Sequence, residues 1–452
     1  MQRIPFFGPL IWPVFSFLLA ILVGASLLRL PFCQTEGTVS FLDCAFLATS
    51  AVCVTGLASV DIATQLSQPG HLVILLLMQV GGLGITTYTS LMFVALKKRI
   101  PLNDRLALAQ GFDKEKVDIK VVIMQVIALA LCIQCCAALG LYWHDPVRFH
   151  PFSAFFHAAS AFCNAGFSLF SDNLMGAQSD PVVNGIIAAN IILGGIGFAI
   201  LREGVQYFRA LLRGQPKALS RITRMIIHTN LFLIFTGGGL IWLVEFFRPG
   251  NEESVGQGAT LGLIAFFQAI SARTAGFNSV SMPALSEASL LILIILMLIG
   301  GSSGSCAGGL RTGTFRVLAS YISAQFTGER QVLLCNRAVP QGLVTDALRL
   351  FFLYIMMVGL TVFALSLTEN IFFAPQGRAE VPFFSLLFET VSALGTVGLS
   401  MDLTPLLSAP GKLLIMLNMF AGRVGFFALL LAVQSIHTRR PYDYAESSLP
   451  IG

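Results

Sequence analysis

Four glycines of this 452-residue chain, Gly56, Gly166, Gly276 and Gly398, occupy a shared sequence frame that suits ion ligation. They close the segments FLDCAFLATSAVCVTGL, PFSAFFHAASAFCNAGF, LGLIAFFQAISARTAGF and FFSLLFETVSALGTVGL, which align on them without gaps, 110, 110 and 122 residues apart. A Phe stands ten residues before each glycine (Phe46, Phe156, Phe266, Phe388), and an apolar residue follows each (Leu57, Phe167, Phe277, Leu399). Glycine lets the backbone take positive φ and approach a neighbour without a Cβ. Carbonyl oxygens turned toward a common axis can then replace the water around a dehydrated monovalent cation. The candidate selectivity filter is therefore backbone: Val54, Thr55 and Gly56; Asn164, Ala165 and Gly166; Thr274, Ala275 and Gly276; Thr396, Val397 and Gly398.

A second glycine motif follows each segment by about 25 residues: GGLG at 81–84, GGIG at 194–197, GSSG at 301–304 and GRVG at 422–425. Small residues at that spacing suit close helix packing. The third copy lies in GGSSGSCAGG, with Gly300, Gly301, Ser302, Ser303, Gly304, Ser305, Gly308 and Gly309. Each glycine costs a helix about 1 kcal/mol relative to alanine, so 300–309 is expected to be a flexible intramembrane loop that gates the path. Arg423 occupies the column of Gly82, Gly195 and Ser302, and a charge at that depth usually marks a pathway. No Asp or Glu falls in the inner half of any apolar run, so carbonyls of the 300–309 loop are its expected partners. Arg273 and His157 read as supports of the filter. Glu389 and Asp402 read as part of a negative field at the outer mouth.

No chemistry of bond making is visible. Cys132, Cys135 and Cys136 lie in an uncharged apolar run, which speaks against a metal or redox role. The six His are scattered without helical pairing. No catalytic residue, covalent cofactor or nucleotide-binding glycine pattern after a strand is found, and an enzyme is not expected. The ligand expected is a cation in the filter.

The elements that would position these loops follow from composition. Charged residues are 11% and hydrophobic residues 55%, with 38 Phe; soluble domains carry roughly 25% charge. The expected class is an all-α polytopic membrane protein. Eight runs approach the ~20 residues needed to cross a bilayer: 11–28, 72–96, 121–143, 181–201, 225–244, 288–323 (interrupted), 350–368 and 413–433. Between successive pairs lie short runs at 41–53, 152–163, 261–272 and 383–394, of re-entrant length. The order long, short, long recurs four times, as four tandem helix–pore loop–helix repeats around a pseudo-fourfold axis. Repeat boundaries are 1–100, 101–213, 214–330 and 331–437, with a cytoplasmic tail at 438–452. With both termini inside, 21 Lys and Arg face the cytoplasm and six face out, as the positive-inside rule requires.

With its four loops and the segments SARTAGF and AFCNAGF, the chain resembles the Trk/Ktr/HKT superfamily of potassium transporters over roughly residues 9 to 436. The first repeat begins almost at once, which makes the Ktr-type translocating subunit the nearer likeness. The resemblance implies a single-chain pore, a homodimer among membrane lipids, potassium uptake across the inner membrane, and a separate cytoplasmic nucleotide-binding regulatory subunit. The basic stretches 97–120 and 202–224 are its expected docking surface; no nucleic acid is expected. Sodium-selective plant members of the superfamily have Ser at the first filter position, so Gly56 implies potassium. Na+ as coupling or activating ion, Na+ permeation and transport of another solute remain open alternatives.

Overall fold

The computed structural model describes residues 11–35, 39–82, 119–215, 218–249, 258–335, 337–372 and 380–425. Most of the basic loop 97–120, Gly84, the last span beyond 425 and the tail 438–452 lie outside the described residues. The chain is mostly helical. In order come α1 (Ile11–Leu28), α2 (Phe41–Cys53), α3 (Ile62–Gln65), α4 (Gln68–Gly82), α5 (Ile119–His144), α6 (Pro151–Cys163), α7 (Pro181–Ile196) and α8 (Phe198–Leu212). Then follow α9 (Arg221–Phe246), α10 (Gly258–Ser271), α11 (Glu287–Leu298) and α12 (Thr312–Thr327). A two-stranded antiparallel hairpin (Leu333–Leu334 with Arg337–Ala338) leads to α13 (Gln341–Ser366), α14 (Phe383–Gly395) and α15 (Ala409–Val424).

Among the described residues three helical stretches are long and apolar enough to cross a membrane: Met124–His144, Arg221–Phe246 and Gln341–Ile371. The run expected to continue through 181–201 is instead broken. Gly197 has φ +101°, and α7 and α8 meet there at a bend of 108°. The third unit's run is cut likewise, α11 ending at Leu298 and α12 beginning at Thr312. Large apolar side chains face outward, among them Leu22, Met124, Leu139, Phe235 and Phe363. Water would penalise that surface, and hydrocarbon does not.

Helix starts are sequence-encoded. Side-chain oxygens of Ser40, Asp180, Ser220, Ser286 and Ser408 accept from backbone N–H groups in the first turns of α2, α7, α9, α11 and α15. Three of these caps also tie a preceding helix down. His144, ending α5, bonds Asp180 at 2.8 Å. Glu245, ending α9, accepts from Ser286 N, Ser286 Oγ and Ser289 Oγ at 2.9, 2.8 and 2.6 Å. Glu369, just past α13, accepts from Ser408 N and Oγ at 3.0 and 2.6 Å.

Each short helix packs against a long helix on either side of it in sequence: α2 with α1 and α4, α6 with α5 and α7, α10 with α9 and α11, α14 with α13 and α15. Every second long helix also touches the next short one: α4 with α6, α7 with α10, α11 with α14, and α15 with α2. The contacts form a closed cycle. Phe46, Phe156 and Phe388 are fully buried in it, whereas Phe266 is half-buried and the adjacent Phe267 takes the interior place. The gapless alignment is thus off by one within α10, for a reason that its hydrogen bonds explain below.

Candidate functional site

A left-handed residue stands two positions before each glycine, directly after α2, α6 and α14 and three residues past the end of α10. Val54, Asn164, Thr274 and Thr396 have φ of 55, 57, 71 and 50°, and Gly56, Gly166, Gly276 and Gly398 have 95, 69, 77 and 95°. Positive φ at β-branched Val and Thr is costly, about 1–3 kcal/mol each, and persists only where the surroundings over-determine it. Sequence reasoning placed positive φ at the glycines alone.

The four glycines meet in order. A Cβ added to Gly56 would stand 3.1 Å from the Gly166 Cα; one on Gly166, 2.9 Å from the Gly276 Cα; one on Gly276, 3.1 Å from the Gly398 Cα; and one on Gly398, 3.2 Å from the Gly56 Cα. Each such Cβ would also strike a carbonyl oxygen, that of Ala165, Ala275, Val397 and Thr55 in turn. Only glycine permits this approach. The predicted filter residues of all four segments are therefore brought together, almost all of them fully buried. Thr55 Oγ1 and Thr396 Oγ1 have no hydrogen-bond partner among the described residues. Asn164 is satisfied when its amide nitrogen faces Ile191 O and Ala161 O, at 3.2 and 3.0 Å. Two neutral hydroxyl oxygens without partners among the described residues thus stand at the C-terminal ends of α2 and α14, where the helix end favours positive charge.

A layer of side chains behind the loops holds them. Ser50 Oγ accepts from Gly56 N at 3.0 Å and Ser392 Oγ from Gly398 N at 3.1 Å, while Ser160 Oγ donates to Phe167 O at 2.8 Å. In the third segment Ser271 does this work, donating to Phe277 O. The turn from this helix to its glycine is one residue shorter: Gly276 N itself donates to Ser271 O, whereas elsewhere it is the residue before the glycine (Thr55, Ala165, Val397) that donates to Ser50, Ser160 or Ser392 O. A second set of struts crosses from α6, α10 and α14 to the chain beyond their loops. His157 pairs with Ser168 (3.0 Å) and Gln268 with Ser279 (3.2 Å), and Glu389 accepts from Ser400 and, at 3.0 Å, from Thr404. Glu389 is 1% exposed, so it is a buried acceptor and not part of an outer field. These struts were missed by sequence reasoning except at His157. The serine layer was missed as well, although a serine six residues before the glycine in three segments was an available signal.

The second glycine motif seats the first. A Cβ on Gly81, Gly194 or Gly422 would strike the carbonyl of Val52, Phe162 or Leu394, each four residues before a ring glycine. In the third unit the 300–309 segment departs from this pattern and reaches across the molecule. Ser302 N and Cys306 N donate to Gly195 O and Gly194 O at 3.0 and 3.2 Å, and Phe198 N donates to Gly304 O at 3.1 Å. Gly308 lies against Thr396 and Gly309 against Gly395. Gly300, Gly301, Ser302, Ser305 and Gly308 are buried, Gly309 is half-buried, and Ser303 and Gly304 are exposed. Arg423 donates to Cys306 O and to Gly81 O, joining α15, the segment and α4. Arg273 donates to Asn230 Oδ1 and, at 3.2 Å, to Gly300 O, so it anchors the segment's start from inside the protein and does not face outward.

Similar proteins point the same way. The family TrkH, described as cation transport proteins, matches residues 17–440. The Ktr system potassium uptake protein B of Bacillus subtilis is 35% identical over 91% of this chain and 89% of its own length. The potassium/sodium uptake protein NtpJ of Enterococcus hirae is 34% identical over 97% and 96%. The crystal structure of the potassium transporter TrkH from Vibrio parahaemolyticus superposes with a TM-score of 0.70 at 18% identity, covering 96% of this chain and 86% of that one. The match of the family over nearly the whole length, on a fold that gathers four glycine loops, places the chain in the TrkH family of cation transport proteins.

Proposed function

We propose that the chain takes up potassium across the cytoplasmic membrane through a single-chain pore. The four helix–loop–helix units, with boundaries at 1–100, 101–213, 214–330 and 331–437, surround a pseudo-fourfold axis, and the short helices are pore helices. One observation carries this reading: the four loop glycines stand in a closed cycle in which each excludes a Cβ from the next. Oxygens of Thr55, Ala165, Ala275 and Val397 would then ligate the ion in place of water. The four helix ends, each equivalent to about half a negative charge, favour a cation. Segment 300–309 gates the path and Arg423 stands as a charge barrier beside it. Both termini lie inside, and the chain works as a homodimer with a cytoplasmic nucleotide-binding regulatory subunit. NtpJ, named for potassium and sodium uptake, favours a second reading in which Na+ also permeates or couples.

The test is Rb+ uptake, competed with K+ or Na+, in cells lacking their own potassium transporters. Gly56→Ser should lower K+ preference over Na+, and serine at Gly166, Gly276 or Gly398 should be at least as damaging. Unchanged selectivity in all four variants would remove these loops from the ion path. Strong Na+ competition in the unaltered protein would select the second reading.

A further inference from the structure

Away from the ring, a cavity of about 900 Å³ opens between α9 and α12 near the hairpin turn. One wall is a single face of α9, with Arg221, Arg224 and His228 recurring at helical spacing and Phe232 one turn further on. Arg316 and Phe315 of α12 form the other. Among the described residues none of the three guanidinium groups is paired with a carboxylate. The nearby carboxylate of Glu203 is already engaged by Ser220 and Thr223. Three unpaired arginines converging on one cavity make a ready phosphate site, because guanidinium forks bind phosphate oxygens in pairs.

The cavity is polar at one end only. Phe232 is eleven residues beyond Arg221, about 16 Å along the helix axis, and is 63% exposed. Met225 and Phe315 line the route between them. A ligand that fills this space has an anionic head at the arginines and an apolar tail beside Phe232. Inorganic phosphate has no tail, and an acidic protein surface would have to follow α9 into hydrocarbon to cover Phe232. Basic pockets between spanning helices at the cytoplasmic side are places where anionic lipid heads bind.

We infer that this cavity is a binding site for one anionic phospholipid of the inner leaflet, held by Arg221, Arg224 and Arg316 through its phosphate and by Phe232 through its acyl chain. The inference is independent of which ion is transported, and binding is read directly. Full-length protein in mild detergent is titrated with phosphatidylglycerol and phosphatidylcholine, and retained lipid is counted by native mass spectrometry. The unaltered protein should retain phosphatidylglycerol in preference. Each basic group at a membrane surface contributes roughly fivefold, so replacing Arg221, Arg224 and Arg316 together by Gln should weaken retention about a hundredfold. Phe232→Ala should weaken retention of the lipid but leave any binding of glycerophosphate unchanged. Arg213→Gln and Arg330→Gln, outside the cavity, should change neither. Equal retention by the triple variant would overturn the site, as would displacement of the lipid by glycerophosphate at matched concentration. Retention that stays at background until an acidic protein partner is added, and is then lost in the triple variant, would assign the arginines to that partner and overturn the lipid.

Discussion

Arg423 shows how one side chain can serve two purposes that a substitution separates. Its guanidinium reaches Cys306 O and Gly81 O, while its Nε has no partner among the described residues. Under the proposed function, Arg423→Gln keeps hydrogen-bond donors and removes the charge. Rb+ flux should rise with K+ preference little changed; unchanged flux together with a lowered Tm would mean the residue is purely a tie. Ser392 makes a different prediction. Its loss in Ser392→Ala strands the half-buried Gly398 N–H, at a cost toward the lower end of about 1–3 kcal/mol, so thermal unfolding in detergent should occur earlier and Ser392→Thr should recover part of the loss. Arg423 was legible in the sequence because a lone charge in an apolar run is conspicuous. Ser392 was not singled out, because a serine near a glycine is ordinary until its hydroxyl is seen against a specific N–H. Glu389 was misplaced for a related reason: its acceptors' partners, Ser400 and Thr404, are supplied by chain on the far side of the loop.

Helices were easier to anticipate than their ends. Apolar length foretold α2, α6 and α14 to within a residue, and α10 except that it begins three residues earlier, since hydrocarbon leaves the backbone little choice but to bond internally. It did not foretell the break at Gly197, because a glycine within GGIG reads equally as packing or as a bend. Nor did it reveal the turn after α10, one residue shorter between serine and glycine than in the other segments, which a gapless alignment conceals. The ties between helix ends carry the prediction at this scale. Burial raises the Asp180 carboxyl, but the His144 hydrogen bond and the Val183 and Val182 N–H groups outweigh that and hold it below the usual range. A carboxyl depressed on folding stabilises the protein above its unfolded pKa and loses that contribution as pH falls through the folded value. Unfolding monitored on acidification should therefore lose part of its pH dependence in Asp180→Asn. An identical profile would show that the His144–Asp180 tie contributes nothing.

At the scale of the molecule, the cycle closes where the last unit meets the first. Lys412 Nζ lies 2.7 Å from Asp43 Oδ1, with both side chains largely sheltered, and α15 packs on α2. Lys412→Met and Asp43→Asn should each lower Tm. Together they should cost less than their sum, with a coupling of about 1–2 kcal/mol; strict additivity would show that the seam holds without the pair. These two residues are 369 positions apart in the chain. Synthesis at ~5–20 residues per second separates their appearance by roughly 20 to 75 s. During that interval α2 and the carbonyl of Thr55 wait in the bilayer without α15 or Gly398 beside them. A newborn chain is thus open along one flank for tens of seconds, within reach of membrane proteases. Under the proposed function, weakened versions of the last quarter should therefore be scarce in the cell well before the surviving molecules discriminate poorly between ions.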